Sequence, residues 1–467
     1  MYSKRSGFLV TVSLSLVLLL SSPLLAAENA SPRQFNAGDS VCMVGDSITH
    51  GGSYHKYIYL FYATRFPDAK FDIYNCGVGG DTSWGIQSRL DHDILNHKPT
   101  ISSIMLGMND INLWLYDTGK TTPADIAKQD ERIEKYVQNM DTLASRLKAA
   151  GSELIFITPS IYDDTAKLKR HSCVGANDAL GKCAQKVRQL AKKYNSPVVD
   201  FYTPMKAINL AQQKTNPEFT LVSGDRVHPG DVGHFVMAYE FLRAQNLPQL
   251  VSKVVIDTGM PKKVKVENTE ISFIKISDET IEFKLNDRAL PFPILSHEKE
   301  ALGLVPFTEQ LNQQILQITN LPPARYEILI AGQVIDTVSA KQLALGINLA
   351  ENTNTPMYKQ ALEVANLNNQ RWAKEKNIIR NIIAKEFYAA KSGIDVNNFE
   401  AMKTHLLADL EKHKGKESYN WVKYGVDSYI ENKPNEDKVK KEIADLAAQM
   451  YEKNKPAMYE YIIRKKQ

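Results

Sequence analysis

The sequence predicts an α/β domain built on a parallel sheet covered by helices on both faces, followed by a small β-rich segment and a helical extension. Three observations lead there. Between residues 38 and 247 short apolar runs alternate with stretches of helical periodicity; beyond about residue 252 short alternating runs are separated by turn residues; from residue 340 the chain is rich in Lys, Glu, Ala and Asn. Strands that alternate with helices need crossover connections, which gives parallel pairing and gathers functional loops at the carboxyl ends of the strands.

The first apolar run, residues 39–44, reads as a buried strand, and residues 54–64 carry apolar side chains at helical spacing. Further strands are expected at 71–74, 100–105, 153–158 and 197–201. Between them fall a long amphipathic helix at 129–150, ended by Gly151, and another at 176–194. An apolar helix follows Gly233 and His234.

In the second half, residues 254–256, 271–276, 280–285, 313–318 and 326–330 read as strands of a small antiparallel sheet, with Gly332–Gln333 as a tight hairpin. A scaffold or lid role fits it better than a sugar-binding module, because no aromatic platform is evident in it. Thr355-Pro356-Met357 looks like a helix start, and residues 368–390 like a long helix. Tyr419, Trp421, Tyr424 and Tyr429 are expected to pack, against one another or against the first domain, with a carbohydrate platform as the alternative. The resulting division is a leader at 1–27, a catalytic domain at 28–252, a β-rich segment at 253–338 and a helical extension at 339–467.

Four short blocks carry the chemistry. Gly45-Asp46-Ser47-Ile48-Thr49 follows the first strand, Gly79-Gly80-Asp81-Thr82 the second and Gly107-Met108-Asn109-Asp110 the third; Asp225-Arg226-Val227-His228-Pro229 comes late. Alone, each has a structural explanation as a cap, turn or ion pair. Together and in this order they resemble the SGNH subgroup of the GDSL hydrolases, over roughly residues 38–247. That resemblance implies a three-layer, flavodoxin-like sheet and a serine esterase. It casts Ser47 as nucleophile, His228 as general base and then acid, and Asp225 as the group orienting the imidazole. The backbone N–H groups of Ser47 and Gly80 and the Asn109 amide become the oxyanion hole, with the choice between Gly79 and Gly80 left open.

Elementary chemistry agrees. A serine hydroxyl becomes a nucleophile when an imidazole takes its proton, and the imidazole needs an acceptor on its other nitrogen. The three-residue spacing of Asp225 and His228 puts both on one turn of backbone. Asp46, Trp84 and Trp114 are candidate substrate contacts, the tryptophans as stacking surfaces. His50, His55 and His234 are expected on loops or helix surfaces. No metal site is expected, since no acidic or cysteine cluster completes a shell around His50 and His55, and no cofactor is called for.

Lys4 and Arg5 precede the apolar run 8–20, and Ala26-Ala27 supply small residues before Glu28, the pattern of a secretory signal peptide. A secreted or periplasmic protein is therefore expected, with no membrane span in the mature chain. Net charge is +4, about +2 without the leader, which gives no electrostatic case for nucleic acid. Export permits disulfides, and Cys173 with Cys183 is the expected pair; Cys42 and Cys76 read as small buried hydrophobes. The expected substrate is a small ester or acylated glycan, with deacetylation of a carbohydrate preferred. The alternatives are a lysophospholipase or thioesterase using the same triad, and a non-catalytic glycan-binding or envelope-scaffold protein. The oligomeric state is not legible in the sequence.

Overall fold

The structure is a computed structural model that describes residues 31–117, 121–296 and 298–466. The leader lies outside the described residues. Strands β1 (Ser40–Gly45), β2 (Asp72–Gly77), β3 (Ile101–Met105), β4 (Glu153–Ile157) and β5 (Val198–Val199) form one sheet in the order β2-β1-β3-β4-β5. Every pairing in it is parallel, with Val41 opposite both Ile73 and Ile101. This is the doubly wound flavodoxin-like order, and its topological switch point lies beside β1, where the crevice opens at the carboxyl ends. Because β1 is central and covered on both faces, residues 41–45 are all buried, which explains their unbroken apolar run.

The helix Pro123–Ala149 begins six residues before its apolar periodicity does. Its first turns face solvent, and its start is fixed instead by a Thr122 capping box with Asp125 and by Pro123 at the first position. Its inward stripe, Ile133, Tyr136, Met140, Leu143 and Leu147, covers one face of the sheet.

The second half forms two sheets rather than one. β6 (Leu250–Asp257), β7 (Lys263–Glu267), β10 (Gln313–Thr319) and β13 (Ile347–Asn348) run in the order β13-β10-β6-β7, with a parallel β6–β10 pair at the centre. β8 (Thr269–Ile276), β9 (Thr280–Asp287), β11 (Arg325–Ile330), β12 (Gln333–Ser339) and β14 (Met458–Lys465) form a wholly antiparallel sheet in the order β12-β11-β14-β9-β8. Its central strand is β14, from the far end of the chain. The expected hairpin is present between β11 and β12, but its turn is Ala331–Gly332, since Gln333 already pairs with Ile330 as the first residue of β12.

A rod running from Pro356 to Lys391, with a π-helical stretch at Glu375–Ile379, links these sheets to the first domain. Thr355 caps it by accepting from Tyr358 N. One continuous core joins the sheets: Phe235, Phe292 and Phe307 lie 4.9 to 6.0 Å apart between ring centres. Buried Arg65 donates to the carbonyls of Pro248, Leu250 and Leu311, fastening the helix Ser53–Arg65 to the second half. A separate small core, including Ile382, Met402, Leu406, Val422, Val426 and Tyr429, holds the helices of residues 380–432 together.

The four aromatics of this region divide. Tyr429 is buried as expected, whereas Trp421 and Tyr424 are 76% and 64% exposed and do not pack. The expected Cys173–Cys183 pair is not formed, all four cysteines being free thiols. Cys173 precedes the helix Ala176–Tyr194, while Cys183 sits two turns inside it on the buried face. At about 1.5 Å rise per residue the two α-carbons are about 10 Å or more apart along the axis, beyond the reach of a disulfide at roughly 7 Å. Cys42 and Cys76 are fully buried, as read.

Candidate active site

Ser47 follows β1 at once and opens the short helix Ser47–Gly51. Asp46 caps that helix, its Oδ1 accepting from Ile48 N at 3.0 Å. The serine N–H is left pointing out of the first turn with no acceptor among the described residues. Asp46 is thus not on the surface where a substrate contact was expected; it is 2% exposed, and burial pushes its carboxyl up to about 7 despite the Ile48 N–H.

Across the crevice, the turn 223–229 carries Asp225 and His228. His228 Nε2 lies 2.8 Å from Ser47 Oγ, and His228 Nδ1 lies 2.6 Å from Asp225 Oδ2. The other carboxylate oxygen, Asp225 Oδ1, accepts from Ser223 Oγ at 2.7 Å and from the N–H groups of Val227 and His228, both at 2.9 Å. Partial burial works against ionisation of Asp225, but these donors, His228 first among them, hold it well below the usual carboxylate range. A carboxylate ionised at neutral pH favours the tautomer protonated on Nδ1, which leaves Nε2 to accept from the serine hydroxyl.

Sequence reasoning missed what holds this turn. Arg226 has φ +70°, a left-handed conformation that costs a residue of its size about 1–2 kcal/mol. It is repaid by a buried guanidinium that donates to the carbonyls of Asp163, Ala166 and Arg170. An arginine between the two catalytic candidates was the only available signal.

The glycine turn after β2 completes the crevice. The N–H of Gly79 donates to His50 Nδ1 at 3.3 Å, which leaves the N–H of Gly80 without an acceptor among the described residues. Gly80 has φ +73°, and a Cβ there would stand 2.5 Å from the Tyr388 hydroxyl, so the position is reserved for glycine. Tyr388 in turn donates to Gly79 O at 2.5 Å. Asn109 Nδ2 donates to Asp81 O at 2.9 Å, orienting the amide over the same turn, and its second hydrogen has no acceptor among the described residues.

Beneath lies a buried charge network. Arg89 binds Asp81 at 2.7 Å and Asp93 at 2.5 Å, and donates to the carbonyls of Gly45 and Cys76. Arg380, from the second half, binds Asp93 at 2.6 Å and donates to Gly77 O at 2.9 Å. The last residues of β1 and β2, from which the serine and glycine turns spring, are therefore held by arginines. Glu375 adds an acceptor for Asn75 N at 2.8 Å.

The three histidines expected on surfaces are not there. His55 and His234 are buried and His50 is half-buried; His55 Nε2 donates to Thr49 O at 3.1 Å, and His234 stacks on Tyr54. The helices carrying His55 and His234 are buried on nearly every side, so periodicity could not mark an outer face. Burial, before any neighbouring charge, pushes them down to about 3 (His50), 4 (His55) and 3 (His234). They are neutral when folded and take up protons on unfolding below about pH 6.5, so their contribution is complete above that pH and lost as pH falls toward 3–4. Asp46, at about 7, and Asp110, pushed by burial to about 6, act in the opposite sense, until unfolded carboxylates also protonate near pH 4. The urea midpoint should fall gently from about pH 6.5 to 5 and steeply below about 4.5. A flat profile across that range would contradict neutral buried imidazoles.

Trp84 and Trp114 are 68% and 77% exposed, so core packing does not explain either ring. No cluster of metal-ligating residues exists among the described residues, and no helix among them is long and apolar enough to cross a membrane.

The model of the GDSL-like lipase/acylhydrolase family matches residues 43–235, which contain all four motif blocks. In sequence, 226 residues are 25% identical to an acetylxylan esterase of Geobacillus stearothermophilus, covering 45% of this chain and 95% of that one. In structure, a gut microbial diltiazem-metabolizing enzyme is 31% identical with a TM-score of 0.85, covering 94% of this chain and 100% of that one. With the α/β sheet, the ordered motifs and a relative similar along almost its whole length, the chain belongs to the GDSL-like lipase/acylhydrolase family and is a carboxylic ester hydrolase.

Proposed function

We propose that the protein removes a small acyl group, acetyl, from an acylated carbohydrate through an acyl-enzyme on Ser47. The carrying observation is the His228 ring bridging Ser47 Oγ at 2.8 Å and Asp225 at 2.6 Å. In this reading His228 Nε2 takes the hydroxyl proton as Oγ attacks the ester carbonyl. The oxyanion meets the N–H groups of Ser47 and Gly80 and the Asn109 amide. The imidazolium then returns its proton to the leaving alcohol, and water repeats the sequence to release the acid. Asp225 stabilises the imidazolium without taking its proton.

The carbohydrate preference is supported by a relative that is an acetylxylan esterase and by two exposed tryptophans on the loops after β2 and β3. Export is proposed on Lys4, Arg5 and the apolar run that follows; a mature N terminus near Glu28, read by mass spectrometry of the exported protein, is its requirement.

The test is an ester panel varying acyl length and alcohol. Rates should be highest for acetyl and fall with chain length, and acetylated sugars should exceed simple alkyl acetates in kcat/KM. Rates that rise with acyl length would replace this reading with a lysophospholipase or thioesterase. In the same assay Asn109→Ala should lower kcat about 10²- to 10³-fold, the effect of one lost oxyanion donor; a near-wild-type rate would remove Asn109 from the mechanism.

A further inference from the structure

A second cleft, of about 600 Å³, opens from the Gly79–Gly80 turn onto the helices Arg380–Lys391, Phe399–Glu411 and Tyr419–Asn432. Its helical walls, from Lys376 to Gly425, lie outside the segment matched by the family model, whereas His50, Gly79 and Gly80 lie inside it. Tyr388, Trp421 and Tyr424 line it and are 46%, 76% and 64% exposed, although most tyrosines of this chain are buried. Single exposed aromatics need no explanation, but three around one concavity form a stacking surface. Trp421 and Tyr424 are three apart on one helix and so share a face.

Two cations stand in the same walls. Lys385 lies with its amine 5.9 Å from the Trp421 ring centre, and Lys376 lies 4.6 Å from that of Trp372. Neither is within 4.0 Å of a carboxylate among the described residues, unlike most lysines around them. Burial lowers the affinity of both for their protons and outweighs the opposing pull of Asp231 on Lys376 and of Asp409 on Lys385. Asp409 is the acid of the cleft, and it is shared with Lys412 at 3.8 Å. Space for Lys385 is provided by Gly425, where a Cβ would come within 3.0 Å of its Cε.

Size assigns the occupant's position. An acetyl group has three heavy atoms, whereas a cleft of this volume holds a ligand of drug or disaccharide size. Resting on the deacetylase reading, the space beside Gly80 therefore belongs to the alcohol side of the ester. We propose that this cleft is the leaving-group subsite, and that it takes a glycan bearing a carboxylate, with a sugar face on Trp421 and Tyr424 and the carboxylate at Lys385.

The test uses two mono-O-acetylated disaccharides that differ only in whether the non-esterified ring is a uronic acid or the neutral hexose, with p-nitrophenyl acetate as reference. The acid should be preferred at least about tenfold in kcat/KM, equivalent to about 1.4 kcal/mol. Lys385→Gln should abolish that preference. Trp421→Ala should lower the ratio of disaccharide to p-nitrophenyl acetate kcat/KM about tenfold or more, chiefly through KM. Equal rates on the two disaccharides, unchanged by Lys385→Gln, would overturn the anionic assignment, and an unchanged ratio in Trp421→Ala would overturn the subsite. Calorimetric binding of the deacetylated uronic disaccharide to Ser47→Ala protein keeps the two readings apart. Trp421-dependent binding by a protein whose wild type turns over no acetate ester would uphold the cleft and defeat the deacetylase. Acetate turnover without such binding would do the reverse.

Discussion

Ser47→Ala is expected to lower kcat on p-nitrophenyl acetate by about 10⁶-fold while leaving the melting temperature close to wild type, and His228→Ala should cost about as much. The reason lies in how little else the hydroxyl does. Its hydrogen-bond partner among the described residues is His228 Nε2, and the cap of the following helix is made by Asp46, so removing Oγ leaves the turn in place. The double variant should be no worse than either single one, because the two groups act in one proton transfer. What survives is the binding and oxyanion stabilisation supplied by the remaining donors. More than about 1% of wild-type turnover in either variant, after correction for background hydrolysis, would mean another nucleophile. A fluorophosphonate probe gives the covalent readout: it should label the wild type on Ser47 and neither variant.

The second large effect is on stability. Asp93→Ala should destabilise the protein by about 3–5 kcal/mol, because it leaves buried cations without their counter-charge. Asp93 is 3% exposed and receives Arg89 at 2.5 Å and Arg380 at 2.6 and 2.9 Å. Arg89 keeps Asp81, but among the described residues Arg380 would retain only the Gly77 carbonyl as a hydrogen-bond acceptor. Despite deep burial, these two guanidinium groups, Arg380 foremost, hold the Asp93 carboxyl well below the usual range, which is the same coupling seen from the other side. Chemical denaturation should show a lower midpoint with unchanged slope. Activity should fall too, since both arginines hold the strand ends that carry Ser47 and Gly80. A midpoint within error of wild type would show that the network contributes nothing net, as some buried ion pairs do relative to apolar replacements.

Much of the first domain could be read because its signals are local. A buried central strand must be apolar throughout, a serine at a strand-to-helix turn is visible as GDSIT, and a spacing of three brings Asp225 and His228 onto one turn. The helix Pro123–Ala149 was found and its start misjudged for the same reason, since periodicity reports only the buried stripe. The histidines were misplaced because a helix buried all round shows no periodicity at all. The disulfide failed because two cysteines near in sequence are held apart when one is inside a helix.

The sequence by itself determined the order of parallel strands and helices, the presence of four chemical blocks and the pairing of Asp225 with His228, because adjacent residues and short repeats encode these directly. Only the tertiary structure decided that β14 closes a sheet begun nearly two hundred residues earlier, and that Arg380 and Tyr388 brace the serine and glycine turns. It also decided that Trp421 and Tyr424 face a cleft instead of a core. Those outcomes depend on which surfaces meet across hundreds of residues, a sum of many weak contacts that leaves no periodic mark on any one segment.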